Sequence, residues 1–88
     1  MKAIELLEKG NSAHDKSDYN EAIKFYDEAI KADENCWQAY NNRGLARYEI
    51  YHYQAALLDF EAALKFQPRI QQIKENRELV TSKLTRRK

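Results

Sequence analysis

The chain is poor in the residues from which turns, disulfides and membrane spans are made: it has two Gly, one Pro and one Cys in 88 residues. Sandwiches and barrels draw on Gly and Pro at many turns, so this scarcity excludes them and predicts helices joined by short links. A single thiol cannot close an internal disulfide, and a reducing cytoplasm is the expected location. No segment approaches the roughly 18 consecutive apolar residues of a membrane span. The opening Met-Lys-Ala-Ile-Glu-Leu-Leu-Glu-Lys places charges where a signal peptide needs an unbroken apolar core, so a soluble, unprocessed protein with no membrane partner is expected. What is present points the same way. Apolar residues make up 43% of the chain and aromatics 11%, spread along its length, which argues against long disordered stretches. A chain this short hides only roughly 60 to 68% of its unfolded surface, so its core is limited.

Charge is almost balanced overall, at +1, but not along the chain. Residues 1–68 hold 8 basic and 12 acidic side chains, and residues 69–88 hold 7 and 2. The surplus in the last segment comes from Arg69, Lys74, Arg77, Lys83, Arg86, Arg87 and Lys88. Cations near a helix C-terminus are favoured by the helix dipole, so this end needs no ligand to explain it. Nucleic-acid binding by a basic last helix is the competing reading, and its mark would be a steep dependence on salt.

Laid on itself with a shift of 34 residues, the chain repeats. Gly10 falls on Gly44, Tyr19 on Tyr53, Ala22 on Ala56, Ala29 on Ala63 and Lys31 on Lys65, with Ile23 on Leu57, Tyr26 on Phe60 and Ile30 on Leu64 as near matches. Within each unit the apolar spacing is helical, running Tyr19, Ala22, Ile23, Tyr26, Ala29, Ile30 and then Tyr53, Ala56, Leu57, Phe60, Ala63, Leu64. A further helical stretch precedes each, from Ile4 to about Asp15 and from Trp37 to about Tyr51. Gly inside a helix costs about 1 kcal/mol relative to Ala, so Gly10 and Gly44 mark places where a partner helix comes too close for a side chain. Asp18 with Glu21 resembles an N-terminal capping pair, with Asp where Ser or Thr is usual, and Asp33, Glu34 and Asn35 are expected to close the first unit and cap the next helix. Pro68 stops the fourth helix, after which Ile70, Ile73, Val80 and Leu84 give a fifth helix one apolar seam.

These residues resemble the tetratricopeptide repeat family, whose unit of about 34 residues carries Trp-x2-Leu-Gly-x2-Tyr, then Ala-x3-Phe, then Pro. The second unit shows Tyr40-x2-Arg43-Gly44, Ala56-x3-Phe60 and Pro68; the first shows Leu6-x2-Lys9-Gly10 and Ala22-x3-Tyr26, with Glu34 in place of the proline. Lys9 and Arg43 stand where the family has Leu, and Ala13 and Arg47 where it has Tyr. The resemblance implies an all-α, right-handed superhelix of two helix-turn-helix repeats, residues 3–36 and 37–70, with a fifth capping helix over 71–88.

It also implies a concave groove that holds an extended peptide. The groove would be lined by Ile4, Leu7, Asn11, His14 and Asp15, then by Gln38, Asn41, Asn42, Leu45, Tyr48 and Glu49, and last by Gln72, Asn76 and Leu79. Among these, Asn11 and Asn42 would orient the peptide backbone, Leu7, Leu45 and Tyr48 would supply apolar contact, and Gln38 and Gln72 would complete the polar rim beside His14. Lys-Gly-Asn at residues 9–11 and Tyr-x-Asn-Arg at 40–43 resemble a cochaperone subgroup that grips the C-terminal carboxylate of chaperone tails with a Lys, two Asn, a Lys and an Arg. Both asparagines match, at Asn11 and Asn42, but the three cation places fall on Leu7, Gln72 and Asn76. Neutral amides give about half the strength of charge-assisted hydrogen bonds to a carboxylate.

No catalytic constellation competes with this reading. His14 and His52 are the only histidines and form no ligand spacing, so no metal and no cofactor is expected. Cys36 has no neighbouring His in sequence and reads as a small packing residue. Tyr40 and Tyr53 occupy core places, Tyr48 is expected to face the groove, and Tyr51 falls in a turn where the family has small residues. The expected function is a non-enzymatic interaction module for a protein or peptide partner, with a self-associating scaffold such as a homodimer as the alternative.

Overall fold

A computed structural model describes residues 1–85, which form five helices: α1 (Ala3–Asp15), α2 (Tyr19–Ala32), α3 (Trp37–Glu49), α4 (Tyr53–Phe66) and α5 (Gln71–Thr85). The basic run Arg86, Arg87 and Lys88 lies outside the described residues. Consecutive helices pack on one another, and α3 also touches both α1 and α5. The odd-numbered helices therefore form one layer and α2 with α4 the other, giving a slab of 43 × 27 × 17 Å. Among the described residues no helix is long and apolar enough to cross a membrane.

Local chemistry sets the helix ends. Asp18 accepts from the backbone N–H of Glu21 at 3.3 Å and starts α2. The cap expected for α3 is absent: its N-cap is Cys36, with no side-chain cap, and Asp33 instead accepts from the N–H of Asn35 at 3.0 Å, closing the link rather than opening the helix. Residues 16–18 and 50–52 form the same turn. The N–H of Asp18 bonds the carbonyl of Ala13 and that of Ser17 the carbonyl of His14; His52 to Arg47 and Tyr51 to Tyr48 repeat the pattern. This double bond pattern needs a left-handed residue, a role usually filled by Gly. Here Ser17 has φ 62° and Tyr51 φ 67°.

A bulky ring at positive φ costs about 1–2 kcal/mol, and Tyr51, 77% exposed, recovers little of that from its edge contact with Tyr53. Tyr51→Gly is therefore expected to raise the unfolding free energy by about 0.5–1 kcal/mol; a urea titration showing a loss would assign the ring a larger packing role.

Two apolar clusters make the core. One gathers Leu6, Leu7, Ala13, Ala22, Tyr26, Ala29, Cys36 and Ala39, and the other Ala56, Phe60, Ala63, Ile73 and Val80. The glycines stand at their tightest points. A Cβ on Gly10 would lie 2.5 Å from the Tyr26 ring, and one on Gly44 2.7 Å from the Phe60 ring. Ala22 and Ala56 are completely buried on the same helices as those rings. The seam of α5 closes the second cluster through Ile73 and Val80, with Ile70 and Leu84 half-buried beside them. Leu7, expected in the groove, is 7% exposed and belongs with Leu6 to the first cluster, which takes in residues of α1, α2 and α3. Tyr48 is half-buried, packed on the second cluster with its ring 5.5 Å from that of Tyr53, so it offers the groove only part of its surface.

Candidate functional site

The layer built from α1, α3 and α5 carries a continuous line of side-chain amides. Gln72 Nε2 donates to Asn76 Oδ1 at 3.0 Å, and Asn76 Nδ2 to Asn41 Oδ1 at 3.1 Å. Asn41 Nδ2 lies 3.4 Å from Asn42 Oδ1, and Asn42 Nδ2 donates to Asn11 Oδ1 at 2.9 Å. The Tyr26 hydroxyl closes the line by donating to the same Asn11 oxygen at 2.7 Å. Burial, and after it the charge of Asp15, pushes the Tyr26 phenol up to about 12, so that proton stays in place at neutral pH. Such a ladder orders three helices at once, since each amide is oriented by the next.

The periodicity of the helices places these groups. Gln72 and Asn76 are four residues apart on one face of α5, and Asn41 and Asn42 point from α3 toward α5 and α1 respectively. Beside the Asn11 end lies a cavity of about 140 Å³, lined by Asn11, His14, Asp15, Tyr26, Asn42 and Leu45. The His14 ring meets Tyr19 edge-on at 5.2 Å, and its Nε2 is buried without a hydrogen-bond partner. Of the residues expected to bind peptide, Asn11, His14, Asn42 and Leu45 meet at this cavity, and Gln72 stands at the far end of the ladder. Gln38 is exposed at the start of α3, 3.9 Å from the Cys36 thiol. Two of the three places where the cochaperone subgroup has cations, Gln72 and Asn76, are ladder amides, and Asn76 is only 6% exposed.

A second polar cluster lies behind α3. Asp59, 3% exposed on α4, accepts from Arg43 Nε at 3.1 Å, Arg43 Nη2 at 2.7 Å and Arg47 Nη1 at 3.0 Å. Arg43 reaches α2 as well, with Nη1 2.7 Å from Asp27. Burial pulls the Arg43 guanidinium pKa down, but the hydrogen bonds and charges of Asp59 and Asp27 outweigh it and leave the value above the ordinary one. The arginines thus stand where the family has Leu and Tyr and use those inward places to join α2, α3 and α4. Sequence reasoning registered both as departures and missed the partner. The available signal was the i, i+4 pairing of Arg43 and Arg47 on a face that otherwise turns inward.

A family model described as TPR repeat matches residues 10–50, across the turn between the two helix pairs. Protein STIP1 homolog of Dictyostelium discoideum is 34% identical over 68 residues, which cover 77% of this chain and 12% of that protein. The chain belongs to the tetratricopeptide repeat family. Sperm-associated antigen 1 of Homo sapiens is 38% identical to this TPR domain over 61 residues, or 69% of the chain and 6% of that protein. The domain therefore spans about a tenth or less of these curated relatives. Among solved structures, the first TPR of Spaghetti (RPAP3), bound to the HSP90 peptide SRMEEVD, superposes with a TM-score of 0.58. That match covers 96% of this chain and 94% of the other at 22% identity, and establishes the shared helical-repeat architecture.

Proposed function

We propose that this TPR domain is a non-enzymatic protein-interaction module that binds an extended segment of a partner along the face of α1, α3 and α5. The observation that carries the reading is the amide ladder. Both acceptor sites of Asn11 Oδ1 are taken by Tyr26 and Asn42, so the group Asn11 holds out is its Nδ2, a donor suited to a peptide carbonyl. Carbonyls recur along an extended strand, and amide side chains match them without selecting a charged end. A cytoplasmic setting is part of this proposal, as is a role beside chaperones, supported by the similarity to Hsp70-Hsp90 organizing protein 3 of Arabidopsis thaliana.

Alanine is a poor probe of Asn11, because it would strip the buried Tyr26 hydroxyl of its acceptor at a cost of about 1–3 kcal/mol. Asn11→Asp keeps an oxygen for Tyr26 and Asn42 and replaces only the outward donor. Against an array of extended heptapeptides, this variant is expected to retain its melting temperature within a few degrees and to bind about tenfold more weakly than the parent. Equal binding by parent and variant would remove Asn11 from the site.

Self-association is the second reading, favoured by Leu58 on α4 and Leu79 on α5, which are 67% and 45% exposed. Sedimentation across a concentration series separates the two readings.

A further inference from the structure

We infer that the cavity between α1, α2 and α3 is a subsite for a primary carboxamide, carried by an Asn or Gln side chain or by an amidated C-terminus of the bound segment. This inference rests on the peptide-binding reading above and specifies the chemistry it selects. The walls of the cavity are Asn11, His14, Asp15, Tyr26, Asn42 and Leu45, so no lysine or arginine lines it. Its polar groups are of two kinds. Asn11 can only donate outward, because Tyr26 at 2.7 Å and Asn42 at 2.9 Å occupy its oxygen. Asp15, exposed at the end of α1, can only accept when ionised, and its charge already reaches Tyr26 strongly enough to help raise that phenol.

A ligand group that fills the cavity must therefore accept from Asn11 and donate toward Asp15. A carboxylate accepts but cannot donate, and it meets the Asp15 charge in a site with no cation to offset it. An ammonium donates but cannot accept, and it leaves the Asn11 N–H facing a like-signed partner. A primary carboxamide does both through a flat group of two polar atoms. Leu45 offers the apolar wall against which the amide stem rests, with the His14 ring beside it. The three places where the cochaperone subgroup carries cations hold Leu7, Gln72 and Asn76, so nothing in the ladder reverses this preference for a neutral group.

The test is a titration of the intact 15N-labelled chain, read at the side-chain amides of Asn11 and Asn42 and at the His14 ring. The probes are N-acetyl-asparagine methylamide, N-acetyl-alanine amide and N-acetyl-aspartate methylamide. The two carboxamides are expected to shift these resonances saturably, and the aspartate compound to bind at least about tenfold more weakly. The stronger of the two carboxamides identifies the source as side chain or chain end. Asp15→Asn, a change at an exposed position, is expected to bring the aspartate compound to within about threefold of the asparagine one. Aspartate binding as well as asparagine to the parent overturns the inference, as does a carboxamide response that Asn11→Asp leaves unchanged. If extended heptapeptides perturb α1, α3 and α5 while both carboxamides leave the cavity resonances still, the subsite fails and the peptide-binding reading stands. If neither probe class perturbs this face, both fail.

Discussion

Arg43→Met is expected to lower the unfolding free energy by about 3–5 kcal/mol, enough to leave a domain of this size largely unfolded on mild heating. The substitution keeps an apolar stem of similar length and removes the guanidinium. Asp59, 3% exposed, then loses two of its three hydrogen bonds and keeps only the one from Arg47. A carboxylate left in that position pays the full desolvation penalty, which in buried pairs exceeds what the pair contributes when intact. Arg43 is also the only residue of the cluster bonded to both α2, through Asp27, and α4, through Asp59. Its loss therefore weakens the join between the two helix pairs as well as the inside of the second. Urea denaturation of parent and variant measures the effect. A change below about 1 kcal/mol would mean that water screens the cluster as it screens surface ion pairs. Asp27→Ala, by contrast, removes a partner that is 42% exposed and is expected to cost well under half as much.

Gly44→Ala is expected to destabilise the domain by about 1–3 kcal/mol, although the same change in an isolated helix stabilises by about 1 kcal/mol. The sign reverses because the added Cβ lies 2.7 Å from one ring carbon of Phe60 and 3.0 Å from two more. Phe60 has no exposed surface and cannot swing away without displacing Ala56, Ala63 and the α5 seam. Gly10→Ala repeats the conflict at Tyr26, at 2.5 Å, and there it additionally moves the hydroxyl that holds Asn11. A thermal melt decides between the two effects: a raised midpoint for Gly44→Ala would show that the ring relaxes. Pairing Gly44→Ala with Phe60→Leu is expected to recover part of the loss, since the two residues share one space and their effects cannot add independently.

Much of the fold was legible from residue order. The 34-residue shift marked Gly10 and Gly44 as equivalent places where a partner helix comes too close for a side chain, and the packed helices show the approaching groups to be the Tyr26 and Phe60 rings. The Pro68 stop and the apolar seam of α5 were legible for the same local reasons. The turns were not. Schellman ends are read from Gly, and here Ser17 and Tyr51 take the left-handed position, so the motif is visible only in φ and in the paired backbone bonds. Leu7 was expected in the groove and is instead buried in the first cluster, because a helical wheel gives a face but not what packs against it.

The candidate site divides in a similar way. Asn11 and Asn42 were identified from the phrases around them, and Gln72 and Asn76 from their place on α5. What the residues do to one another depends on side-chain direction, which a one-dimensional pattern does not contain. Only the packed helices bring the Tyr26 hydroxyl onto Asn11 and so turn that asparagine into an outward donor. The salt-bridge cluster behaves likewise: Arg43, Arg47 and Asp59 are 12 and 16 residues apart, and α4 has to fold back on α3 before they meet.

The sequence by itself determined the helical period, the repeat, the residues too small for their helices and the near-absence of turns made from Gly and Pro. Each of these is a local or periodic property, set by backbone sterics and by the spacing of apolar groups. Tertiary structure alone decided which polar atoms are satisfied within the protein and which are left for a partner, because hydrogen-bond valence is settled only when helices distant in the chain come within about 3 Å of one another.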